Sequence, residues 1–418
     1  MGVKRTLVAL VVAGALAVVA SAGLRAQAAA STYKLGTFEQ GGRTFVGLVL
    51  RDTQIVDIAR ANAAYEQANA SAPKLAAPTD MKQLIARYDS EWRARLTAIA
   101  RTIPATGAPA YVVAVNAVRI RPPVMPSVQL NAGGNYVEHE QGIATNQARG
   151  AAGRGAAPAG GAPGGGRAAA PAPAPVSAPG IWERKPGDTR DNPYLFLKSP
   201  SIITGNNDPI VVPRGRVQID FECEFATVIG KPAHYVPVDK AADYIFGYTA
   251  HHDVSDRQGR GDRKMGGSDW LIGKNHDTFG PLGPYIVPKE FIKDPMNTRH
   301  TMYLNGMVMQ DSNTRNMSHN IWELLSFASN ITTLNPGDVI SGGSPAGTNL
   351  ERPDPRWMRA GDMAKCEIAG IGALSNPVVA ESTTSTRLLG TGDWGLGDWG
   401  LGTGDWGLGT KKLLVPNP

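Results

Sequence analysis

The sequence predicts an α+β protein dominated by short strands, with a small mixed region ahead of a larger β-rich domain. Strand-like runs recur through residues 126–380, at Arg216–Ile229, Tyr244–Thr249, Thr301–Leu304, Val339–Ile340 and Lys365–Ile368. One helix stands out there, Ser318–Ser329, with Ile321, Leu324, Leu325 and Ala328 on one face and Pro336-Gly337 beyond its end. Strands do not alternate with helices in the βαβ pattern of a doubly wound sheet.

Residues 31–125 form the small N-terminal region. Tyr33–Phe38, Thr44–Leu50 and Gln54–Asp57 are short strand runs, and Gly41-Gly42 turns the first hairpin. Pro78-Thr79-Asp80 then opens a helix with Leu84, Ile85, Tyr88, Trp92, Leu96 and Ile99 at helical spacing, which is a packing surface rather than a site.

Three segments stand apart from these two regions. Residues 1–28 have the form of a secretory signal: Lys4 and Arg5, an uncharged apolar run Leu7–Ala22, and Ala26-Gln27-Ala28 at a cleavage site. This predicts export to the periplasm or the exterior. No later run is long and apolar enough to span a membrane. Residues 146–180 are Ala, Gly and Pro with scattered Arg, which predicts an unfolded insert within the main domain. The tail, 381–418, carries Gly-Asp-Trp-Gly-Leu-Gly at Gly392, Gly397 and Gly404 and predicts a disordered end or a docking tag built on its tryptophans. The net charge of +6 is spread through the leader and the insert, with no basic stripe, so no nucleic-acid partner is expected. Cys223 and Cys366 are read as two buried free thiols, with a single bridge between them allowed in an oxidising compartment.

The chemistry begins at Asp220-Phe-Glu-Cys-Glu-Phe225. On a strand, Glu222 and Glu224 point to one face, and Phe221, Cys223 and Phe225 to the other. Adjacent carboxylates repel and are costly to desolvate, and a cation between them relieves both costs. Next, the strand run 246–250 ends in His251, His252, Asp253, Asp256 and Arg257. A turn-rich loop, Gly273–Pro284, holds Lys274, and a Gly-rich loop, Gly342–Gly347, follows the strand Val339–Ile340. The last is not a nucleophile elbow, because its second glycine comes one place too late. Lys274 lacks the flanking residues of a P-loop.

In this order, Asn135-Tyr-Val-Glu-His139, Phe196-Leu-Lys-Ser-Pro200, Glu222-Cys-Glu224, His252-Asp-Val-Ser-Asp-Arg257, Gly273-Lys-Asn-His-Asp-Thr-Phe279, Gln310-Asp-Ser-Asn-Thr314, Pro336-Gly-Asp338 and Ser344-Pro-Ala-Gly347 resemble the fumarylacetoacetate hydrolase family, in its acylpyruvase and 2-hydroxyhepta-2,4-diene-1,7-dioate isomerase-like branch. The resemblance implies a mixed β-roll and a homodimer. It implies Glu222, Glu224 and Asp253 as ligands of Mg²⁺ or Mn²⁺, and His139 and Lys274 as catalytic residues. Ser344, in place of the family's threonine, and Arg257 are implied as substrate-binding residues. His251 and His252 are expected to support Asp253 from behind.

The implied activity is hydrolysis of a C–C bond in an acylpyruvate or related β-diketo acid, through an enolate that the metal stabilises. One departure bears on this. The glutamate that partners the family's histidine three positions on is replaced by Gly142. Without water activation the same site suits an isomerase or decarboxylase acting on 2-hydroxy-diene dioates or oxo-tricarboxylates. A third reading is an exported binding protein that has lost turnover.

Overall fold

The computed structural model describes residues 32–153, 177–260 and 269–382, and side chains of 147–153 are not among those described. The leader and the repeat-bearing tail lie outside the described residues. Strands dominate, as the sequence predicts, and they form two main sheets. The larger has 12 strands, running from Val112–Ala114 through Gln54–Asp57, Arg43–Leu50, Lys34–Gln40, Gly280–Pro288, Ile245–His252, Cys223–Ile229, Val339–Ser341 and Gln129–Ala132 to Leu195–Lys198, with two short strands off this path. The smaller has five: Met307–Asn313, Arg299–Leu304, Met363–Ile368, Gly372–Ala380 and Ile210–Val212.

The N-terminal hairpin forms around Gly41 and Gly42, both at positive φ, where glycine carries no steric cost. The region read as a small separate domain shares the large sheet with the rest, because Leu35 pairs with Ile286. Its helical run begins at Met81, where Asp80 caps the Gln83 amide at 2.9 Å, and continues through a π-turn, Tyr88–Trp92, into the helix Arg93–Thr102. Leu84, Ile85, Tyr88, Trp92, Leu96 and Ile99 are all buried, against Ala226, Val228 and Ile286 of the large sheet among others.

The strand Cys223–Ile229 is buried on both faces. Cys223 and Phe225 face the core that holds the smaller sheet, while Ala226 and Val228 belong to the core under the N-terminal helices. The helix predicted at Ser318–Ser329 spans Ile321–Ser329, closed at its start by a capping box between Asn320 and Glu323.

Three expectations need correction. Cys223 and Cys366 form a disulfide, with Cα atoms 5.1 Å apart, rather than two free thiols. Cys223 points from the large sheet and Cys366 from the small one into the same core, a meeting that 143 residues of separation conceal. Gly280–Pro288, read partly as a turn-rich loop, is a central strand; a register break between Tyr248 and Ala250 lies opposite it, around Pro284, which has no amide to donate. The segment 146–180 is folded at both ends. The helix Val137–Gly153 runs into it, and Ala178 pairs with Trp182, whose buried ring packs on His319 and Phe327. Residues 154–176 lie outside the described residues.

Candidate active site

The antiparallel pairing of Cys223–Ile229 with Ile245–His252 sets Cys223 opposite His252 and Glu224 opposite His251. The next amide, of Asp253, donates to the Glu222 carbonyl at 2.9 Å. Strand alternation then turns Glu222 and Glu224 to one side, as predicted, and one carboxylate oxygen from each of Glu222, Glu224 and Asp253 lies within 4.8 Å of the others. All three residues are buried. Such charge is held in a dry site only by compensation.

Part of the compensation is lysine. Lys274, on the short helix Trp270–Lys274, donates to Glu222 Oε2 at 2.8 Å and to Asp253 Oδ2 at 2.6 Å. Burial opposes its charge, but Asp253 and Glu222 outweigh burial and hold the ammonium above the ordinary lysine value. Lys198, which the sequence reading left without a role, donates to Asp253 Oδ1 and to the Phe279 carbonyl at 2.7 Å. Burial opposes ionisation of Asp253, yet Lys198 and Lys274 hold its carboxyl below the usual range. Arg257, expected to bind substrate, pairs with Glu222 and with Asp220 Oδ2 at 3.0 Å and so lies against the triad. Ser344 is buried and accepts from Gln310 Nε2 at 2.9 Å, while Gln310 Oε1 accepts from the Cys223 amide at 2.9 Å.

His251 is fixed by the Pro281 carbonyl at 3.0 Å and by Gln129, whereas neither ring nitrogen of His252 has a hydrogen-bond partner among the described residues. Burial and the nearby Lys198 lower both histidines to about 3, so both stay neutral beside Asp253.

Glu224 Oε2 accepts from Ser341 and from Asn131 at 3.5 Å, but Oε1 is buried with no partner among the described residues. An orphaned carboxylate oxygen facing two further carboxylates fits a hard, oxygen-seeking divalent cation. Glu222, Glu224 and Asp253 would hold it. Burial, reinforced by Asp253 and Glu222, raises the Glu224 carboxyl well above its ordinary value. Folded protein without cation therefore binds a proton there that the unfolded chain releases. Its stability falls as pH climbs from the ordinary carboxylate range toward that raised value. A cation must displace the same proton. Mn²⁺ affinity, measured by calorimetry across a pH series, is expected to strengthen with pH and to release protons. An affinity flat with pH would remove Glu224 from the ligand set.

The largest departure from the sequence reading concerns His139. Its Nδ1 lies 2.5 Å from Glu351 Oε1, and both side chains are at least nine-tenths buried. Gly142, where the partner acid was sought, is vacant of side chain for a reason: a Cβ there would lie 2.6 Å from Glu351 Oε2. Glu351 is held by the amides of Gly347 at 2.9 Å and Thr348 at 3.3 Å. Asn146, on the helix of His139, donates to the carbonyls on either side of Glu351, of Leu350 at 2.8 Å and of Arg352 at 3.3 Å. The two halves of the pair also leave the sheet together. Asn131 and Ser341 are register neighbours, both on Glu224, and their strands lead into the segments that carry His139 and Glu351 respectively.

Residues 173–379 match the model of the fumarylacetoacetate (FAA) hydrolase C-terminal domain. The mitochondrial oxaloacetate tautomerase of Xenopus laevis is 44% identical over 187 residues, 45% of this chain and 58% of that protein. The chain thus spans little more than half the length of the first curated relatives it matches. An uncharacterized protein of Methanocaldococcus jannaschii is 43% identical over 189 residues, 45% of this chain and 74% of that protein. The crystal structure of 5-carboxymethyl-2-hydroxymuconate delta-isomerase from Mycobacterium smegmatis superposes with a TM-score of 0.54 at 26% identity, covering 84% of this chain and 99% of that one. With its β-rich fold, its carboxylate triad and these relatives, the chain belongs to the fumarylacetoacetate hydrolase family of enzymes.

Proposed function

We propose that the protein hydrolyses a C–C bond in an acylpyruvate or related β-diketo acid. The observation that carries this reading is the buried His139–Glu351 pair. With Nδ1–H donated to Glu351, the imidazole keeps Nε2 as an acceptor, which is the arrangement a general base for water requires. His139 takes a proton from water, and the hydroxide oxygen adds to the acyl carbonyl. The bond between that carbon and the pyruvate methylene breaks, its electron pair leaves with the pyruvate fragment as an enolate, and a proton returned to that carbon gives pyruvate and a carboxylate. Lys274 sets a positive charge where the enolate develops. A divalent cation held by Glu222, Glu224 and Asp253, Mg²⁺ first and Mn²⁺ second, would supply Lewis-acid charge for the oxo and carboxylate oxygens.

Export to an oxidising compartment belongs to the same proposal. The Cys223–Cys366 bridge supports it, since disulfides persist there and are rare in a reducing cytosol. The homodimer is carried by the family resemblance alone.

A second reading is favoured by the Xenopus relative, an oxaloacetate tautomerase. His139 could move a proton between carbon and oxygen with no attacking water. Purified protein supplied with Mg²⁺ should release pyruvate and acetate from acetylpyruvate, and EDTA should stop it. Rapid keto–enol exchange of oxaloacetate without any cleavage of acetylpyruvate would replace the hydrolase with the tautomerase.

A further inference from the structure

We propose that Phe196, Trp270 and Tyr194 form a specificity wall beside Lys274, and that the substrate carries a planar, π-rich group, such as an aryl ring, on its acyl end. The inference rests on the oxo-acid reading above and adds the class of side chain.

The wall starts at the carboxylates. On the strand Leu195–Lys198, Phe196 and Lys198 turn inward while Leu197 points to solvent, 64% exposed. Lys198 reaches Asp253, so Phe196, two residues earlier, is the next inward group along the site. Its ring stacks on Trp270, with centroids 4.5 Å apart and planes 23° from parallel. Tyr194 leans on Trp270 from outside at 5.7 Å. The Lys274 ammonium, four residues after Trp270, lies 5.3 Å from the Phe196 centroid and 6.0 Å from that of Trp270. Three rings thus run outward from the ammonium, from buried Phe196 to Tyr194 at 51% exposure.

The outer end of this row meets the other catalytic segment. The Gly133 amide donates to the Tyr194 carbonyl at 3.0 Å, and a Cβ on Gly133 would lie 2.9 Å from the Tyr194 ring. Gly133 lies six residues ahead of His139. The row of rings thus runs from Lys274 at its inner end to Gly133, on the segment leading to His139, at its outer end, and the proposal lays the acyl end of the substrate along it with its oxo acid facing the carboxylates. Phe196 is buried, but Trp270 is only partly buried and Tyr194 is exposed, so the outer rings keep surface that a ligand can cover. Exposed aromatic surface at the edge of a charged site favours a flat partner that can stack on it or meet it edge to face. A methyl group in that place gains contact area only.

The test compares acetylpyruvate with benzoylpyruvate on full-length, Mn²⁺-loaded protein, both as substrates and as ligands in calorimetry. Benzoylpyruvate is expected to bind on the order of fivefold to tenfold more tightly. Trp270→Leu, which keeps apolar bulk but removes the ring, should erase that preference, chiefly through KM, and Trp270→Phe should restore part of it. Because binding is read without turnover, absence of cleavage would count against the hydrolase and leave the wall standing. Equal affinity for the two ligands in wild type and Trp270→Leu would overturn the wall. So would a Trp270→Leu protein whose only change is dissociation of a dimer, which would assign the exposed patch of Tyr194, Leu197 and Leu271 to a second copy of the chain.

Discussion

Glu351→Gln is expected to lower kcat for C–C cleavage by about 100-fold or more, within the range that general acid–base catalysis contributes, with KM little changed. Glu351 fixes His139 through Nδ1, and the neutral amide cannot balance the imidazolium that forms when water is deprotonated. Because Glu351 also accepts from the Gly347 and Thr348 amides, the melting temperature of the variant must be measured beside its rate. A sharper form of the experiment is Gly142→Ala. In a helix interior this exchange ordinarily stabilises by about 1 kcal/mol. Here the new Cβ would lie 2.6 Å from Glu351 Oε2, so Glu351 must shift off His139 and strain its bonds to the Gly347 and Thr348 amides; the variant should lose rate, and that cost offsets the helical gain in stability. Normal kcat in both variants would remove the pair from catalysis and leave His139 without a role in activating water.

The second large effect is on stability. Replacing both Cys223 and Cys366 by alanine is expected to cost about 3–5 kcal/mol, because the bridge closes a long loop and restricts the unfolded chain accordingly. Its 143-residue span exceeds the 100-residue loop for which chain entropy gives about 4.7 kcal/mol. Calorimetry should register a fall in melting temperature of roughly 6–10 °C. A shift within error would mean that packing alone holds the two sheets together. Cys223 sits between Glu222 and Glu224, so the double variant should also bind Mn²⁺ more weakly as its ligand strand loosens.

What the sequence made legible followed from local periodicity. Strand alternation is enough to put Glu222 and Glu224 on one side and Cys223 on the other. The helix at Ile321–Ser329 is visible from its apolar face and from Pro336-Gly337 beyond its end. The triad itself was implied by the family resemblance, and the structure brings those three residues together. What stayed hidden depends on contacts between distant segments. Glu351 lies 212 residues from His139, and the sign of it in the sequence is negative, a glycine where the acid was sought. Lys198 sits in an otherwise apolar strand, and its inward side emerges only in the fold, where Leu197 beside it is exposed and the lysine reaches Asp253. The disulfide could not be inferred from two cysteines, because pairing depends on which core each strand faces. Gly280–Pro288 was missed because glycine and proline argue against a strand unless a register break accommodates them.

The continuity of the large sheet also decides where the chain can be cut. The segment that matches the family model, 173–379, excludes Lys34–Gln40, which lies against Gly280–Pro288, and Gln129–Ala132, which lies between Val339–Ser341 and Leu195–Lys198. Expressed alone, it would leave open hydrogen-bonding edges on central strands, a template for aggregation, and it would lack His139. A fragment that keeps the sheet whole must therefore begin near Tyr33, and trimming to the matched segment is expected to favour aggregation over a minimal catalyst.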